Sequence, residues 1–381
     1  MSSRMLDFKI DGRRLHAELP RAGRPLRVPS ALGPDYEASF ARGRGIFDEL
    51  NALAAANDVF VLIDSRILGL YGKYLRVPQN RIFAALAEER FKTVGGVLRL
   101  LDFLDKGGAN KASLLLVIGG GIMEDAGGFA ATMFKRGIRW VFAPTTLLSM
   151  CDSCIGAKTG INFGRAKNQL GLFAKPEAVL LDPRLLRTLE HRHIRSGMGE
   201  ILKMCVIGGD RALALYRKDA PSALACDAAA LERLIALSLS IKKAVVEKDE
   251  LERDIRKALN YGHTVGHALE ALSGFRISHG EAVAMGMMAA NEIAAWSGNL
   301  PKPLLRELEN DCLELCAGVK LPRLQADSLG RVLVKDKKSV GGKVLIVAPR
   351  AVGDTVFLAF PPGARLWQAL IQALTERFKT A

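Results

Sequence analysis

The chain has 381 residues, 49% apolar and 25% charged, the make-up of a globular protein large enough for two domains, which excludes a disordered, collagen-like or disulfide-stapled chain. Its 54 Lys and Arg against 40 Asp and Glu leave a formal net charge of +14, which favours an anionic partner. The cations are scattered, aromatics are only 6%, and no zinc-finger, ribonucleoprotein or basic-zipper spacing occurs, so nucleic acid is set aside for a phosphorylated metabolite and a dinucleotide.

Residues 1–55 are basic, broken by Gly and Pro, and define no clear element; MSSRMLDFKIDGRR lacks the apolar core of a secretory signal. No apolar run reaches the ~18–20 residues of a membrane span, so a cytoplasmic protein without membrane contact is expected. Val59–Asp64 (VFVLID) reads as a buried parallel strand ending in an acid. Leu114–Ile118, within SLLLVIGGG, repeats the pattern, and a helix is expected from Asp125 to Lys135. Ile138–Phe142 and Val179–Leu181 read as further strands. Strands alternating with helical stretches argue for a parallel sheet covered by helices. From about residue 185 the texture becomes helical, over 194–206, 227–248, 256–272 and 280–297, with short strand-like pieces at 343–347 and 355–359. The predicted architecture is an α/β N-terminal domain with a parallel sheet, residues 1–185, followed by a mainly α-helical C-terminal domain, residues 186–381.

Three groups of residues carry chemistry. Gly119, Gly120 and Gly121 follow a buried strand and precede a helix containing Asp125, a turn where backbone and helix dipole can receive a phosphate. The spacing is not G-x-G-x-x-G; Asp64, ending the earlier strand, stands where a ribose-binding acid would. Three of the six histidines fall between His263 and His279. His263 and His267 are one turn apart on a helix face, and His279 opens the next helix. Imidazoles from two adjoining helices plus a carboxylate make a catalytic divalent-metal site; Glu200, on a helix with Lys203, is the candidate carboxylate, and spacing leaves open which of His263 and His267 binds. Lys158, Lys167 and Asn168 flank a Gly/Thr/Asn-rich loop suited to an oxyanion, and Lys335-Asp336-Lys337-Lys338 reads as a polar loop. The six cysteines, Cys151, Cys154, Cys205, Cys226, Cys312 and Cys316, are expected to be reduced; Cys151 and Cys154 form a C-x-x-C without a second pair or a thioredoxin-like strand.

Between about Asp64 and Lys338 the ordered motifs GGGIMEDAGGFAA, KRGIRWVFAPTTLL, DSCIGAKTGIN…KN, GEILK, RKALNYGHTVGHALE, HGEAVAMGM and KDKK resemble the dehydroquinate synthase family of sugar phosphate cyclases. The resemblance implies an NAD-binding sheet domain followed by a metal- and substrate-binding helical domain. It implies a divalent metal, usually zinc with cobalt an alternative, on Glu200, His263 and His279. It implies NAD on Gly120, Gly121 and Asp125, with further contacts from Asp64, Glu89, Lys92, Thr145, Thr146, Asp152, Lys167 and Thr188. The substrate pocket would use Lys158, Asn168, Lys203, Lys242, Arg256, Asn260, His267 and Lys337. Arg136 matches a residue that reaches the phosphate from a neighbouring subunit, which implies a homodimer.

The implied activity is a carbon–oxygen lyase of the shikimate pathway. It would convert 3-deoxy-arabino-heptulosonate 7-phosphate to 3-dehydroquinate and phosphate by transient oxidation with NAD, phosphate elimination, re-reduction and intramolecular aldol. His193 stands where the family usually has a glutamate, Glu124 replaces a small residue and Ala157 a glycine. Asn260 and His267 agree with the dehydroquinate synthases. The alternatives are a cyclase of sedoheptulose 7-phosphate or glucose 6-phosphate, or a metal-dependent alcohol dehydrogenase.

Overall fold

The computed structural model describes residues 4–20, 23–43, 45–164, 166–335 and 342–378. The chain divides into two compact units, one from Pro20 to Leu189, the other comprising the residues up to Leu19 and those from Glu190 onward. An N-terminal hairpin, β1 (Met5–Ile10) and β2 (Arg13–Glu18), belongs to the second unit.

The first unit is built on a seven-stranded sheet of order β3-β4-β11-β8-β7-β5-β6. Its strands are β3 (Leu26–Val28), β4 (Tyr36–Phe40), β5 (Val59–Asp64), β6 (Ile82–Ala85), β7 (Leu114–Gly119), β8 (Arg139–Pro144) and β11 (Ala178–Leu181). All neighbouring pairs are parallel except β3 with β4. Helices α1 (Ile46–Ala56), α2 (Ser65–Tyr71), α3 (Val94–Lys106) and α4 (Gly121–Met133) connect them. Every residue of β5 and β7 is buried, as continuous apolar runs require in a parallel sheet covered on both faces. From β5 the chain moves outward to β6 and returns to β7 on the other side, so the order reverses between β5 and β7. At such a reversal the carboxyl ends of the strands leave a crevice that takes ligands. Asp64 and Gly119 end these two strands.

The loop predicted around Lys158 is instead a hairpin, β9 (Lys158–Phe163) and β10 (Ala166–Phe173), with Phe173 facing Lys158. Cys151 lies in a π-helical turn, Ser149–Ser153, with Cys154 as its C-cap, and all six cysteines are free thiols. Burial pushes the Cys205, Cys312 and Cys316 thiols up, which disfavours thiolate chemistry there.

The second unit is helical: α5 (His191–Gly208), α6 (Asp210–Leu224), α7 (Ala228–Val246), α8 (His263–Leu272), α9 (His279–Trp296), α10 (Lys302–Leu315), α11 (Ala326–Lys335) and α12 (Ala364–Thr375). The helix predicted over 256–272 divides into a 3₁₀ turn, Ile255–Asn260, and α8, because Gly262 takes φ +79° between them. The Ala-, Gly- and Met-rich α9 is buried almost all round and is packed by α5, α8, α10 and α12. A second hairpin, β12 (Val344–Ala351) and β13 (Asp354–Phe360), meets the N-terminal one in the sheet β12-β13-β1-β2. The parallel pairing of β1 with β13 and the burial of Leu6, Phe8, Ile10 and Leu15 draw the first strands away from the predicted domain of residues 1–185. Among the described residues no helix is long and apolar enough to cross a membrane.

Candidate active site

Three helices of the second unit bring Glu200 (α5), His263 (α8) and His279 (α9) together. Their ligand atoms lie within 4.8 Å of one another. Glu200 is fully buried; its Oε1 is 3.1 Å from His279 Nε2 and 3.4 Å from His263 Nε2. The outer ring nitrogens are held. His263 Nδ1 is 3.2 Å from the Tyr261 carbonyl, which can only accept, so Nδ1 carries a proton there and Nε2 is the nitrogen turned toward Glu200. His279 Nδ1 donates to Glu270 Oε2 at 3.1 Å. Two imidazoles fixed through their outer nitrogens, with a carboxylate, form the donor set of a three-ligand divalent-cation site, so these residues fit such a cation. Burial lowers the pKa of His279, but Glu200 and Glu270 outweigh it and hold the ring up to about 10. A proton and a cation therefore compete for the same nitrogen.

The three helices meet through glycine. A Cβ on Gly280 would lie 1.8 Å from the Ser196 carbonyl oxygen, and one on Gly286 would lie 1.9 Å from that of Gly262. The first contact sets α9 against α5, the second against α8. Gly280 N also donates to Ser196 Oγ at 3.0 Å, and a capping box of Ser278 and Glu281 starts α9 at His279.

The other predicted substrate residues described in this unit lie on α5 (Lys203), α7 (Lys242), the 3₁₀ turn (Arg256 and Asn260) and α8 (His267). Lys203 Nζ donates to Glu200 Oε2, and Lys203, Lys242 and Arg256 are all buried. His267 is exposed, with its ring 5.3 Å from that of His263 and 5.8 Å from that of His279. Asn260 Nδ2 donates to Glu252 Oε1 at 2.9 Å. Arg256 Nη1 donates to the Glu250 carbonyl, and its backbone N–H donates to Asp249 Oδ2 at 3.0 Å. Asp249 also accepts the N–H groups of Arg253 and Asp254; burial raises its pKa, and these donors overcome that and hold it below the usual value. Lys337 lies outside the described residues.

In the first unit, Gly120 is the N-cap of α4 and offers no side-chain cap, so the helix start can receive an anion. A Cβ on Gly120 would press Thr146 Cγ2 at 3.0 Å, and one on Gly121 would have no heavy atom nearer than Ser153 Oγ at 3.8 Å. This bare strand–turn–helix at the sheet reversal fits a dinucleotide phosphate. Asp125, Lys92, Glu89 and Lys167 form one network. Lys92 Nζ pairs with Asp125 Oδ2, Gly160 N donates to Asp125 Oδ1 at 2.8 Å, and Lys167 Nζ donates to Glu89 Oε1 at 2.6 Å. Burial pushes the Asp125 carboxyl up against these partners. Burial acts the same way on Glu89, but Lys167 and Asn162 outweigh it and the pKa falls.

Asp64 accepts from Arg66 N at 3.1 Å and so caps α2. Thr145 N donates to the Gly119 carbonyl at 2.9 Å, Thr146 Oγ1 and Ser149 Oγ lie 2.7 Å apart, and Thr188 Oγ1 is 3.1 Å from the Tyr71 hydroxyl. Asp152 is half-buried in the turn after β8. Lys158 and Asn168 are exposed on the hairpin, and Asn168 takes φ +53°. Exposed Arg136 follows α4 at φ +63°. Of the departures, His193 lies in the first turn of α5, Glu124 is buried and accepts from Ser153 Oγ, and Ala157 takes φ +58°. Sequence reasoning missed Glu270, Asp249 and the Tyr261 carbonyl. Glu270, three residues after His267 on the same helix, could have been found by periodicity.

Residues 82–196 match the family model described as 3-dehydroquinate synthase N-terminal, and residues 197–339 the one described as 3-dehydroquinate synthase C-terminal. A curated 3-dehydroquinate synthase of Dictyoglomus thermophilum is 38% identical over 77% of this chain and 83% of its own length. That of Alkaliphilus metalliredigens is 32% identical over 84% of this chain and 92% of its own. Among solved structures, a 2-deoxy-scyllo-inosose synthase complexed with carbaglucose-6-phosphate, NAD+ and Co2+ is similar with TM-score 0.80 and 25% identity, covering 92% of this chain and 100% of that one. A 2-epi-5-epi-valiolone synthase from Streptomyces hygroscopicus with NAD+ and Zn2+ bound has TM-score 0.80, 28% identity and the same coverage.

Proposed function

The chain belongs to the 3-dehydroquinate synthase family, and on that premise we propose that it converts 3-deoxy-arabino-heptulosonate 7-phosphate to 3-dehydroquinate and phosphate, acting as an NAD- and metal-dependent carbon–oxygen lyase. The observation that carries the reading is the meeting of buried Glu200 and His263 with half-buried His279, with both outer ring nitrogens tied back. When bound, NAD takes up and returns a hydride, and zinc or cobalt acidifies the alcohol to be oxidised.

Glu200, His263 and His279 would hold the cation. Gly120, Gly121 and the start of α4 would take the dinucleotide phosphates, with Asp64, Glu89, Lys92, Asp125, Thr145, Thr146, Asp152, Lys167 and Thr188 as its other contacts. Arg256 and Lys242, already stripped of water, would hold the substrate's anionic groups without reorganisation, and a guanidinium suits a carboxylate. Lys203 would neutralise Glu200 and donate to a substrate oxygen from Nζ. Asn260 would orient ring hydroxyls, and the His267 imidazole would relay the alcohol proton. Lys158, Asn168 and Lys337 would contact the phosphate, joined by Arg136 from a second subunit of a cytoplasmic homodimer.

The test incubates the purified chain with zinc, NAD and the heptulosonate phosphate. Phosphate and dehydroquinate appearing without net NADH support the proposal; stoichiometric NADH would mean a simple dehydrogenase. A second reading, a cyclase of another sugar phosphate, is favoured by the likeness to the two solved cyclases. Sedoheptulose 7-phosphate and glucose 6-phosphate are therefore run beside it, and faster phosphate release from either replaces the first substrate. Lys158→Ala should raise KM for the phosphorylated substrate and leave NAD binding near normal. An unchanged KM would remove Lys158 from the pocket.

A further inference from the structure

A cavity of about 470 Å³ opens in the second unit between the start of α5, the α8–α9 turn and the segment after α10. Its charged lining is Arg192, Arg195, Arg276 and Lys320 against a single carboxylate, Glu281. None of the residues assigned to the cation or the substrate lines it. Glu281 is largely spent, since its Oε2 accepts from Ser278 N at 3.1 Å and from Ser278 Oγ at 2.7 Å. Its other oxygen lies 3.4 Å from Arg195 Nε, a buried atom that makes no hydrogen bond among the described residues. Among the same residues Arg276 and Lys320 form no ion pair, and Arg276 uses only Nε, donating to the Ser273 carbonyl at 2.9 Å. The helix start contributes nothing further, because Ser196 and Glu281 already occupy the N–H groups of Gly280 and Ser278.

We propose that this cavity is a second anion site, taking a multiply charged tetrahedral oxyanion of the phosphate class. Even with Arg192 Nε 4.0 Å from Glu190 just outside the void, three guanidiniums and an ammonium exceed what Glu281 and that one distant carboxylate need. Guanidinium forks match the spread oxygens of a phosphate, each able to make two parallel bonds. The void has the volume of a small-molecule site. Arg276, Ser278 and Glu281 bracket His279 in sequence, so an anion bound here braces the turn that presents that histidine.

The experiment titrates inorganic phosphate into the zinc- and NAD-loaded chain by calorimetry and reads binding, not turnover, so its outcome is separable from the proposed activity. The parent should bind one phosphate per chain more than the Arg276→Gln/Lys320→Gln variant, or bind it at least about tenfold more tightly. Both side chains are exposed, so the variant should melt with the parent in phosphate-free buffer. Arg192→Gln/Lys320→Gln, also changed only at exposed residues, should show the same loss. Phosphate binding by both variants equal to that of the parent overturns the site. Succinate binding as tightly as phosphate, and equally sensitive to the substitutions, overturns the ligand class.

Discussion

Glu270 is the acid on which the orientation of His279 depends. Among the described residues its carboxylate hydrogen-bonds only to Nδ1, so Glu270→Gln should leave the fold intact while weakening zinc binding by roughly 10–100-fold, the usual cost of losing an outer-shell carboxylate. Competition with a chromogenic chelator measures this, and an unchanged dissociation constant would show that Glu270 is a bystander. His263→Ala should go further and lose metal and turnover together, because two protein ligands rarely hold a catalytic zinc. Metal analysis of the purified variant decides it. At this scale the histidines were legible, because the i,i+4 spacing and the nearby His279 are local features. Glu200 lies more than sixty residues earlier and was legible only through its GEILK motif. The Tyr261 carbonyl could not be read at all, since its direction depends on the left-handed turn at Gly262.

Helices α5, α8 and α9 hold their ligands in place by approaching too closely for any side chain at two crossings. Gly286→Ala would force a methyl group into the Gly262 carbonyl, and such overpacking costs typically about 1–3 kcal/mol. Urea denaturation should show that loss, with zinc affinity falling alongside; a variant as stable as the parent would mean that the crossing is loose. The loop before α8 depends instead on charge. Asp249 has a lowered pKa, so it contributes stability at neutral pH that is lost as the pH falls through that lowered value. Asp249→Asn should therefore cost about 1–3 kcal/mol at pH 7, by turning an amide N–H toward backbone donors, and much less once the pH is below that lowered value. Equal losses at both pH values would contradict the charge argument. The continuous apolar strands β5 and β7 were readable because burial on both faces leaves an unbroken run. The β9–β10 hairpin was not, because its exposed lysines, asparagines and glycines are the composition of a loop.

Across the whole chain, the least legible feature was the placement of the first strands. Met5–Ile10 alternates buried and exposed residues, but its charges mask the period, and its partner β13 lies near the other end of the sequence. A chain beginning at Pro20 would lose the buried Leu6, Phe8, Ile10 and Leu15, each worth about 1.5–3 kcal/mol as an upper estimate. Its helical unit should melt at a lower temperature by circular dichroism, and the α/β unit at nearly its original one. Coincident melting of truncated and intact chains would show that the hairpin is dispensable.

The pairing of β1 with β13 also fixes an order of events during synthesis. The segment from Pro20 to Leu189 is continuous and can close while the ribosome is still translating the rest. Strand β1 must wait, with one edge unpaired, until codons more than three hundred positions downstream have been read. A nascent chain stalled before Asp354 thus carries a completed α/β unit and an open sheet edge, the state in which chaperones would be needed most.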